Sequence, residues 1–414
     1  MQPDKNILFV SYDGMTDPLG QSQVIPYLQG LCADGYRIFL LSCEKKEAFA
    51  GNKVTVQKLL DAYNIEWVPV SYTRKPPVLS TLWDLWKLKR KAAALHKKHS
   101  IAMVHTRAGV PALVGYWMKK KFGIKFLHDI REFYADSRVD GGMWPLSNPL
   151  YKFIFNYFKK QEALQVKASD GIVCLTHAAE KIIRQWPEFK NGTPLAVIPC
   201  SADLELFDPA KISAEEKLAL EQKLGIGAND FIVSYLGSIG GWYLTAEMLR
   251  FCKVLSERLP AAKFLFISPH RHEVITAEAQ KHGLAAGKII TQKATRREVP
   301  LLLSLSDYSI FFIKPCYSKQ SSSPTKHGEI MAMGIPLITN NGVGDVEMIV
   351  DKYDAGIVLA DFTNAAMEAA ANAVADKKNY EAAAIRAGAT DFYALTKAVV
   401  QYKNMYKTIL NGTD

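Results

Sequence analysis

The segment "SSPTKHGEIMAMGIP" (Ser322–Pro336) places a cation and a carboxylate at the tip of one short helix. Ser323 is read as its N-cap and Pro324 as its first residue, with Gly334 and Pro336 ending it. The first-turn amides, Thr325 among them, then point outward at the positive end of the helix dipole. Lys326 adds a full charge there. Glu329 follows three residues on, so its carboxylate stands ~5 Å further along the same face. That rise suits a nucleoside diphosphate, with phosphates at the helix tip and ribose hydroxyls on the acid. The alternative is an ordinary surface Lys–Glu pair.

Two loops rich in glycine carry a related signal. "SYDGMTDPLGQSQ" (Ser11–Gln23) holds Gly14 and Gly20 ahead of a helix, and "GSIGGWY" (Gly237–Tyr243) holds Gly240 and Gly241. Neither fits the dinucleotide fingerprint or the P-loop. Both allow close backbone approach to an anion, and both also read as tight turns. A denser polar cluster is "KFLHDIREFYADSRVDGG" (Lys125–Gly142), where His128, Asp129, Arg131 and Glu132 follow a strand. Asp129, Arg131 or both are candidates to act on a ligand at that strand end; an Arg–Asp structural pair is the competing reading. His105 and Arg107 ("VHTRAG") end another strand and rank second. No metal is expected: no H-E-x-x-H, cysteine cluster or D-x-D is present, and His270 and His272 are read on a strand without further ligands.

These residues need a scaffold, and the apolar pattern supplies one. Strand-like runs at Asn6–Val10, Tyr36–Leu41, Ile65–Val70, Met103–His105, Lys125–Ile130 and Gly171–Leu175 alternate with helical stretches. A second series follows at Phe231–Leu236, Lys263–Ile267, Lys288–Ile290, Tyr308–Phe312 and Ile335–Thr339. Such alternation predicts βα units and parallel sheets. "VSYDG" (Val10–Gly14) is echoed by "VSYLG" (Val233–Gly237), which suggests two similar α/β domains. The boundaries are read as an N-terminal domain over 1–198, a second over 199–390, and a last helix in 391–414 that crosses back to the first. Ligands of such folds bind at the carboxyl ends of the strands.

The 414 residues exceed one ordinary core, and 49% hydrophobic with 22% charged residues is normal for a globular protein. No signal-peptide pattern opens the chain and no run of apolar residues is long enough to span a bilayer. The six cysteines form no C-x-x-C pair and sit among apolar neighbours, as buried thiols in the cytoplasm would. The net charge of +10 is lopsided: residues 1–200 carry 28 Lys and Arg against 17 Asp and Glu, and the rest 23 against 24. "TLWDLWKLKRKAAALHKKH" (Thr81–His99) and "KKKFGIK" (Lys119–Lys125) concentrate that excess. Trp83 and Trp86 beside lysines suit a helix at an anionic membrane surface, and equally a packed one. No nucleic-acid-binding module is present.

Several of these segments, in order, resemble the family 4 retaining glycosyltransferases of the GT-B type, also called glycosyl transferases group 1. They are "SSPTKHGEIMAMGIPLITNNGVGDVEMIV" (Ser322–Val350), "VIPCSADLELF" (Val197–Phe207), "SYDGMTDPLGQSQVIPYLQGL" and "SYLGSIGGWY". The resemblance implies two Rossmann-like domains facing across a cleft, acceptor on the first and nucleotide-sugar on the second. It implies transfer from an NDP-sugar, read as UDP-linked, with retention and no metal or other cofactor. The acceptor is then a saccharide or a lipid-linked saccharide, in cell-surface glycan synthesis. Glu329 matches the family's ribose-holding glutamate. Ser321 stands eight positions earlier, where the family usually has the acid that touches the donor sugar. The "GSIGGW" loop lacks the usual diphosphate-neutralising arginine, and the following region the lysine. The chain resembles the branch with Ser-Pro-Thr-Lys before the retained glutamate, so Lys326, aided by Lys319, is expected to supply that charge. Related enzymes place a histidine near His128, although Arg131 falls closer by register. The departing phosphate can take the acceptor proton, so no separate base is required. The alternatives are a GT-B nucleotide-sugar epimerase and a non-catalytic sugar-nucleotide-binding subunit.

Overall fold

The computed structural model describes residues 5–76, 78–269, 271–376 and 379–412. They form two compact units, Met1–Cys200 with Leu395–Asp414 and Ser201–Ala394, so the chain leaves the first unit after Cys200 and returns at Leu395.

The first unit is built on seven parallel strands: β1 (Asn6–Ser11), β2 (Arg37–Glu44), β3 (Glu66–Ser71), β4 (Met103–Arg107), β5 (Lys125–Ile130), β6 (Gly171–Cys174) and β7 (Leu195–Val197). They lie in the order β3-β2-β1-β4-β5-β6-β7. The reversal of direction at β1 and β4 is the switch point of a doubly wound sheet. The central strands are buried on both faces, and β1 accordingly holds an unbroken apolar run, Ile7–Val10. One face packs on the Ile25–Cys32 and Leu395–Asn411 helices through Leu28, Leu31, Tyr402, Met405, Tyr406 and Ile409. The other packs on the Leu79–His99 and Gly109–Phe122 helices through Leu85, Leu88, Val114 and Met118.

The second unit has six parallel strands: β8 (Phe231–Leu236), β9 (Ala262–Ile267), β10 (Ile289–Gln292), β11 (Tyr308–Ile310), β12 (Leu337–Asn340) and β13 (Gly356–Leu359), ordered β10-β9-β8-β11-β12-β13. Both units are Rossmann-like, as the alternating pattern predicts. Two edge strands, β7 and β13, are absent from the sequence reading. They are only three and four residues long, shorter than an ordinary strand, and most of their residues are half-buried. Other ends shift by one to three residues, as β4 does in running on to Arg107. The Ser322–Pro336 helix spans Thr325–Ala332, with Pro324 as an N-cap that makes no side-chain bond, not Ser323. The last helix begins at Leu395 rather than Asp391, because Asp391–Tyr393 complete the Ala382–Tyr393 helix. His272 opens a helix, His272–Lys281, instead of lying on a strand; His270 lies outside the described residues.

The C-terminal helix is fastened to the first sheet by polar contacts as well as apolar ones. Tyr402 donates to Asp129 Oδ2 at 2.8 Å and accepts from Arg131 at 3.4 Å, while the Tyr406 hydroxyl lies 2.8 Å from His105 Nδ1. Burial alone would raise the Asp129 carboxyl, but Arg131, His105 and Arg107 hold it well below the usual carboxylate range. Removing one donor from a buried carboxylate costs about 1.5–3 kcal/mol, so Tyr402→Phe is expected to lose that much in urea unfolding. A depressed folded-state pKa gives stability that is present above the unfolded value of about 4 and is lost as pH falls below it. The acid arm of wild-type stability should therefore be steeper than that of Asp129→Asn. Superimposable acid arms would refute the anchoring role.

Candidate functional site

The Thr325–Ala332 helix is buried almost throughout. Gly328 lets it approach Tyr393, since an added Cβ would sit 2.6 Å from that ring. His327 is fully buried, with Nδ1 3.0 Å from the Tyr393 hydroxyl, and burial pushes its pKa down to about 3. It is therefore a neutral packing residue.

Lys326 is 7% exposed and turns under the β8 loop. Its Nζ lies 3.7 Å from the centre of the Tyr243 ring and 4.5 Å from that of Tyr235, and donates to the Tyr235 hydroxyl at 3.3 Å. Tyr235 in turn donates to the Ser238 carbonyl at 2.5 Å, which leaves its oxygen free to accept from the lysine. Gly237 makes room: a Cβ there would stand 2.5 Å from Nζ, and its φ of +127° suits only glycine. Two aromatic faces stabilise the ammonium by roughly 0.5–2 kcal/mol each. They do not replace a counter-ion, and burial pushes the lysine pKa down to about 7 against the upward pull of Glu329. A cation stored without a carboxylate in contact is poised for an anionic ligand.

Glu329 is nearly buried, and one oxygen accepts from Arg296 at 2.7 Å. Arg296 lies over the Phe207 ring, 5.4 Å from its centre. The other carboxylate oxygen, Oε2, makes no hydrogen bond among the described residues and can take a hydroxyl. Gly240 and Gly241 hold φ of +78° and +65° in the same loop as Gly237. A Cβ on Gly240 would lie 3.4 Å from an Arg271 guanidinium nitrogen, which puts a second cation beside the loop. Lys319 covers Trp242, 3.7 Å from its ring centre. Thr325 is the first helical residue, so its amide lacks an intrahelical partner.

The sequence-predicted residues thus divide. Thr325, Lys326, Glu329, Gly240 and Gly241 all belong to the second unit, around the β8 loop and the helix tip. Ser321 does not present a hydroxyl for a sugar: it is fully buried in the 3₁₀ turn Tyr317–Ser321 and donates to the Ser318 carbonyl at 2.8 Å. Gly20 is not a phosphate loop glycine either; it lies in the Pro18–Gln23 helix, where a Cβ would meet the Gly14 carbonyl oxygen at 2.2 Å. Asp129 and Arg131, read as catalytic, are turned to the C-terminal helix, with Arg131 also 3.3 Å from Cys200 Sγ. Their bonds are those of the structural pair. His105 belongs to that anchor. Glu132 is held by Arg138 at 3.2 Å and Ser137 at 2.7 Å. His128, on the other face of β5, stacks on Phe126 and is lowered by burial to about 4. Arg107 is buried at the end of β4.

Tyr235, Tyr243, Arg271 and Arg296 were missed. The first two flank the glycine loop, where paired aromatics beside a cationic helix tip are the available signal. Arg296 comes from a stretch, Ile290–Val299, whose side chains look uninformative in sequence. Trp83 and Trp86, left open between packing and exposure, are 53% and 44% exposed and stacked 4.7 Å apart, with Arg90 over Trp86. No helix of the described residues is long and apolar enough to cross a membrane. Among the described residues no group of three or more potential metal ligands comes together.

Two parallel-sheet Rossmann-like units of this kind define the GT-B glycosyltransferase fold. Residues 216–391, in the second unit, match the family model described as Glycosyl transferases group 1. Known structures agree along the whole chain. A glycosyltransferase from Rickettsia africae ESF-5 is 18% identical, with 99% of this chain and 100% of that chain covered and a TM-score of 0.73. Sucrose-phosphate synthase from Thermosynechococcus elongatus is 14% identical over 99% and 100% of the two chains, with a TM-score of 0.71. Anabaena HepE, solved in complex with UDP-glucose, is 14% identical over 97% and 99%, with a TM-score of 0.68. At these identities the likeness establishes the fold. No curated protein matches the sequence at a significant level.

The lysine environment makes a direct prediction. In 13C NMR of the lysine side chains, Lys326 should titrate near pH 7, far below a free lysine at about 10.4, and Lys326→Met should remove that transition. A full set of lysines titrating above pH 9 would refute it.

Proposed function

We propose that the protein is a retaining glycosyltransferase that moves a sugar from an NDP-sugar, most simply UDP-linked, to a saccharide or lipid-linked saccharide. The second unit takes the nucleotide-sugar and the first the acceptor. The observation that carries this reading is the pairing of a caged, buried Lys326 with Glu329 on one helix beneath a glycine loop. HepE, whose structure holds UDP-glucose, shares the fold.

The diphosphate is met by Lys326, the first-turn amides at Thr325 and the exposed Arg271; Glu329 Oε2 takes a ribose hydroxyl. Positive charge from these side chains stabilises the departing diphosphate, so the reaction as proposed needs no metal. The bond from the anomeric carbon to the phosphate oxygen breaks, and the acceptor oxygen bonds to that carbon on the same face. The acceptor proton passes to the departing phosphate, and NDP leaves. Because Ser321 is consumed by its own turn, contacts to the donor sugar fall to other groups. No second acid is evident beside Glu329 among the described residues of the site, and epimerisation would use one, which favours transfer.

Lys326→Ala should weaken UDP binding and lower transfer tens- to a hundredfold, a loss of about 2–3 kcal/mol. Glu329→Gln should cost UDP about 1–2 kcal/mol in calorimetry. UDP affinity should also fall as pH rises through 7, because the ligand favours the charged lysine. Unchanged UDP affinity in both variants would overturn the nucleotide site. Anomeric analysis of the product made from an NDP-sugar tests retention, and its absence with UDP binding intact would leave a binding subunit.

The stacked Trp83–Trp86 pair and the basic end of the same helix lead us to propose peripheral attachment to an anionic membrane, consistent with a cytoplasmic enzyme in cell-surface glycan synthesis. Co-sedimentation should be stronger with anionic than neutral vesicles and fall with salt. Equal binding to both would remove the electrostatic argument.

A further inference from the structure

Among the described residues, more than half of the exposed large hydrophobic side chains fall in two short segments of the first unit. One holds Val78, Leu79, Leu82, Trp83 and Trp86, and the other Met143, Leu146, Leu150, Phe153 and Tyr157. Leu79, Leu82, Trp83 and Trp86 recur at helical spacing on the outer face of the Leu79–His99 helix, whose inner face buries Leu85, Leu88 and Leu95. Leu150, Phe153 and Tyr157 do the same on the Pro149–Ala168 helix, where Phe153 is 70% exposed. An ordinary surface helix is polar on that side.

The fold brings the two segments to one edge. Each helix runs back from the carboxyl end of the parallel sheet, so the first turns of both lie there. Both pack against the Gly109–Phe122 helix, on the same face of the sheet. Aromatic side chains fill the interval. Tyr72 meets Tyr12 edge-on with ring centres 5.7 Å apart, and Tyr134 lies 5.9 Å from Trp144 and 4.9 Å from Phe158. Tyr72 is also within electrostatic reach of Tyr134, which joins the two groups.

The surrounding charge points to one kind of partner. Residues 71–99 hold a single acid, Asp84, which is buried and paired with Lys87 at 2.7 Å, and residues 141–161 hold none. Exposed cations border both segments: Arg74, Lys75, Arg90 and Lys91 beside the first, Lys152 and Lys160 beside the second. A second copy seated here about a two-fold axis would set those cations against their own kind. Aromatic and aliphatic side chains bordered by Lys and Arg instead match the interfacial layer of an anionic bilayer.

We propose that both helices insert their first turns into the interfacial layer of one anionic bilayer, with the carboxyl edge of the first sheet turned to the lipid. The proposal extends the attachment inferred from the Trp83–Trp86 pair and rests on it for one of the two contacts. It adds a second point of insertion at residues 143–157. Two points on one edge restrain tilt, so the contact also sets an orientation. Burial of apolar surface contributes a component of binding that salt does not screen.

The test uses the full chain with phosphatidylcholine–phosphatidylglycerol vesicles. At about 1 M salt the Debye length falls to about 3 Å, so attraction between exposed cations and lipid is largely removed. Wild-type protein is expected to stay bound there. The double variant Leu150→Ser with Phe153→Ser should lose roughly tenfold or more in partitioning, with UDP affinity unchanged, and Trp83→Ser with Trp86→Ser should lose a similar factor. Hydrogen exchange should slow on vesicle binding in both 78–86 and 143–157. Equal binding by the Leu150–Phe153 variant, protection confined to 78–86, or wild-type binding that vanishes in salt would overturn the second insertion and leave the electrostatic attachment standing. A dimer seen in sedimentation velocity and lost in the Leu150–Phe153 variant would assign the edge to a second copy instead. Absence of vesicle binding by every form would remove both membrane readings. UDP affinity, measured on the same samples, reports on the glycosyltransferase reading separately.

Discussion

Burial of charge is the constraint around which each unit is arranged. In the first unit Asp129 is 1% exposed and keeps its charge only because Tyr402, Arg131 and the His105 ring surround it. Three of the four members of that network come from strands β4 and β5 or their ends, and the fourth from the far end of the chain. The contact therefore fixes the register of the C-terminal helix on the sheet, which apolar packing alone would define loosely. Apolar side chains can slide by a fraction of a turn at small cost, whereas a buried carboxylate cannot change partners without losing most of its solvation.

The second unit handles charge in the opposite manner. Its central cation, Lys326, is held by aromatic faces rather than by an acid, and the acid on the same helix, Glu329, is engaged by an arginine from another segment. The site thus separates the two charges that helical spacing alone would pair. A Lys326–Glu329 ion pair would have neutralised the helix tip; the Tyr cage and Arg296 prevent it. The loop glycines serve this separation as much as they serve any ligand, since Gly237 provides the space in which Nζ sits.

This arrangement marks where the sequence was legible. Strands β1, β8 and β9 are largely apolar runs, and the doubly wound class follows from the alternation of strands with helices. The helix tip with Lys326 and Glu329 was readable because capping and spacing are local properties. What each charge touches was not. Arg296 reaches Glu329 from 33 positions away and Tyr402 reaches Asp129 from 273, separations that no local pattern encodes. The contact made by Ser321 is hidden in sequence for a related reason. Its place in the spacing suggested a ligand contact, but a 3₁₀ turn folds its hydroxyl back on Ser318.

The route of the chain has a consequence for synthesis. The first unit is interrupted by the whole of Ser201–Ala394 and is completed only by its last helix. During translation at roughly 5–20 residues per second, its sheet emerges with one face still lacking Tyr402, Met405, Tyr406 and Ile409. That face must wait on the order of 10–40 s while the second unit is made. The unit encoded second can thus close first, and the unit encoded first matures last. Ribosome pausing, or a chain shortened by its final helix, would fall most heavily on residues at the opposite end of the gene.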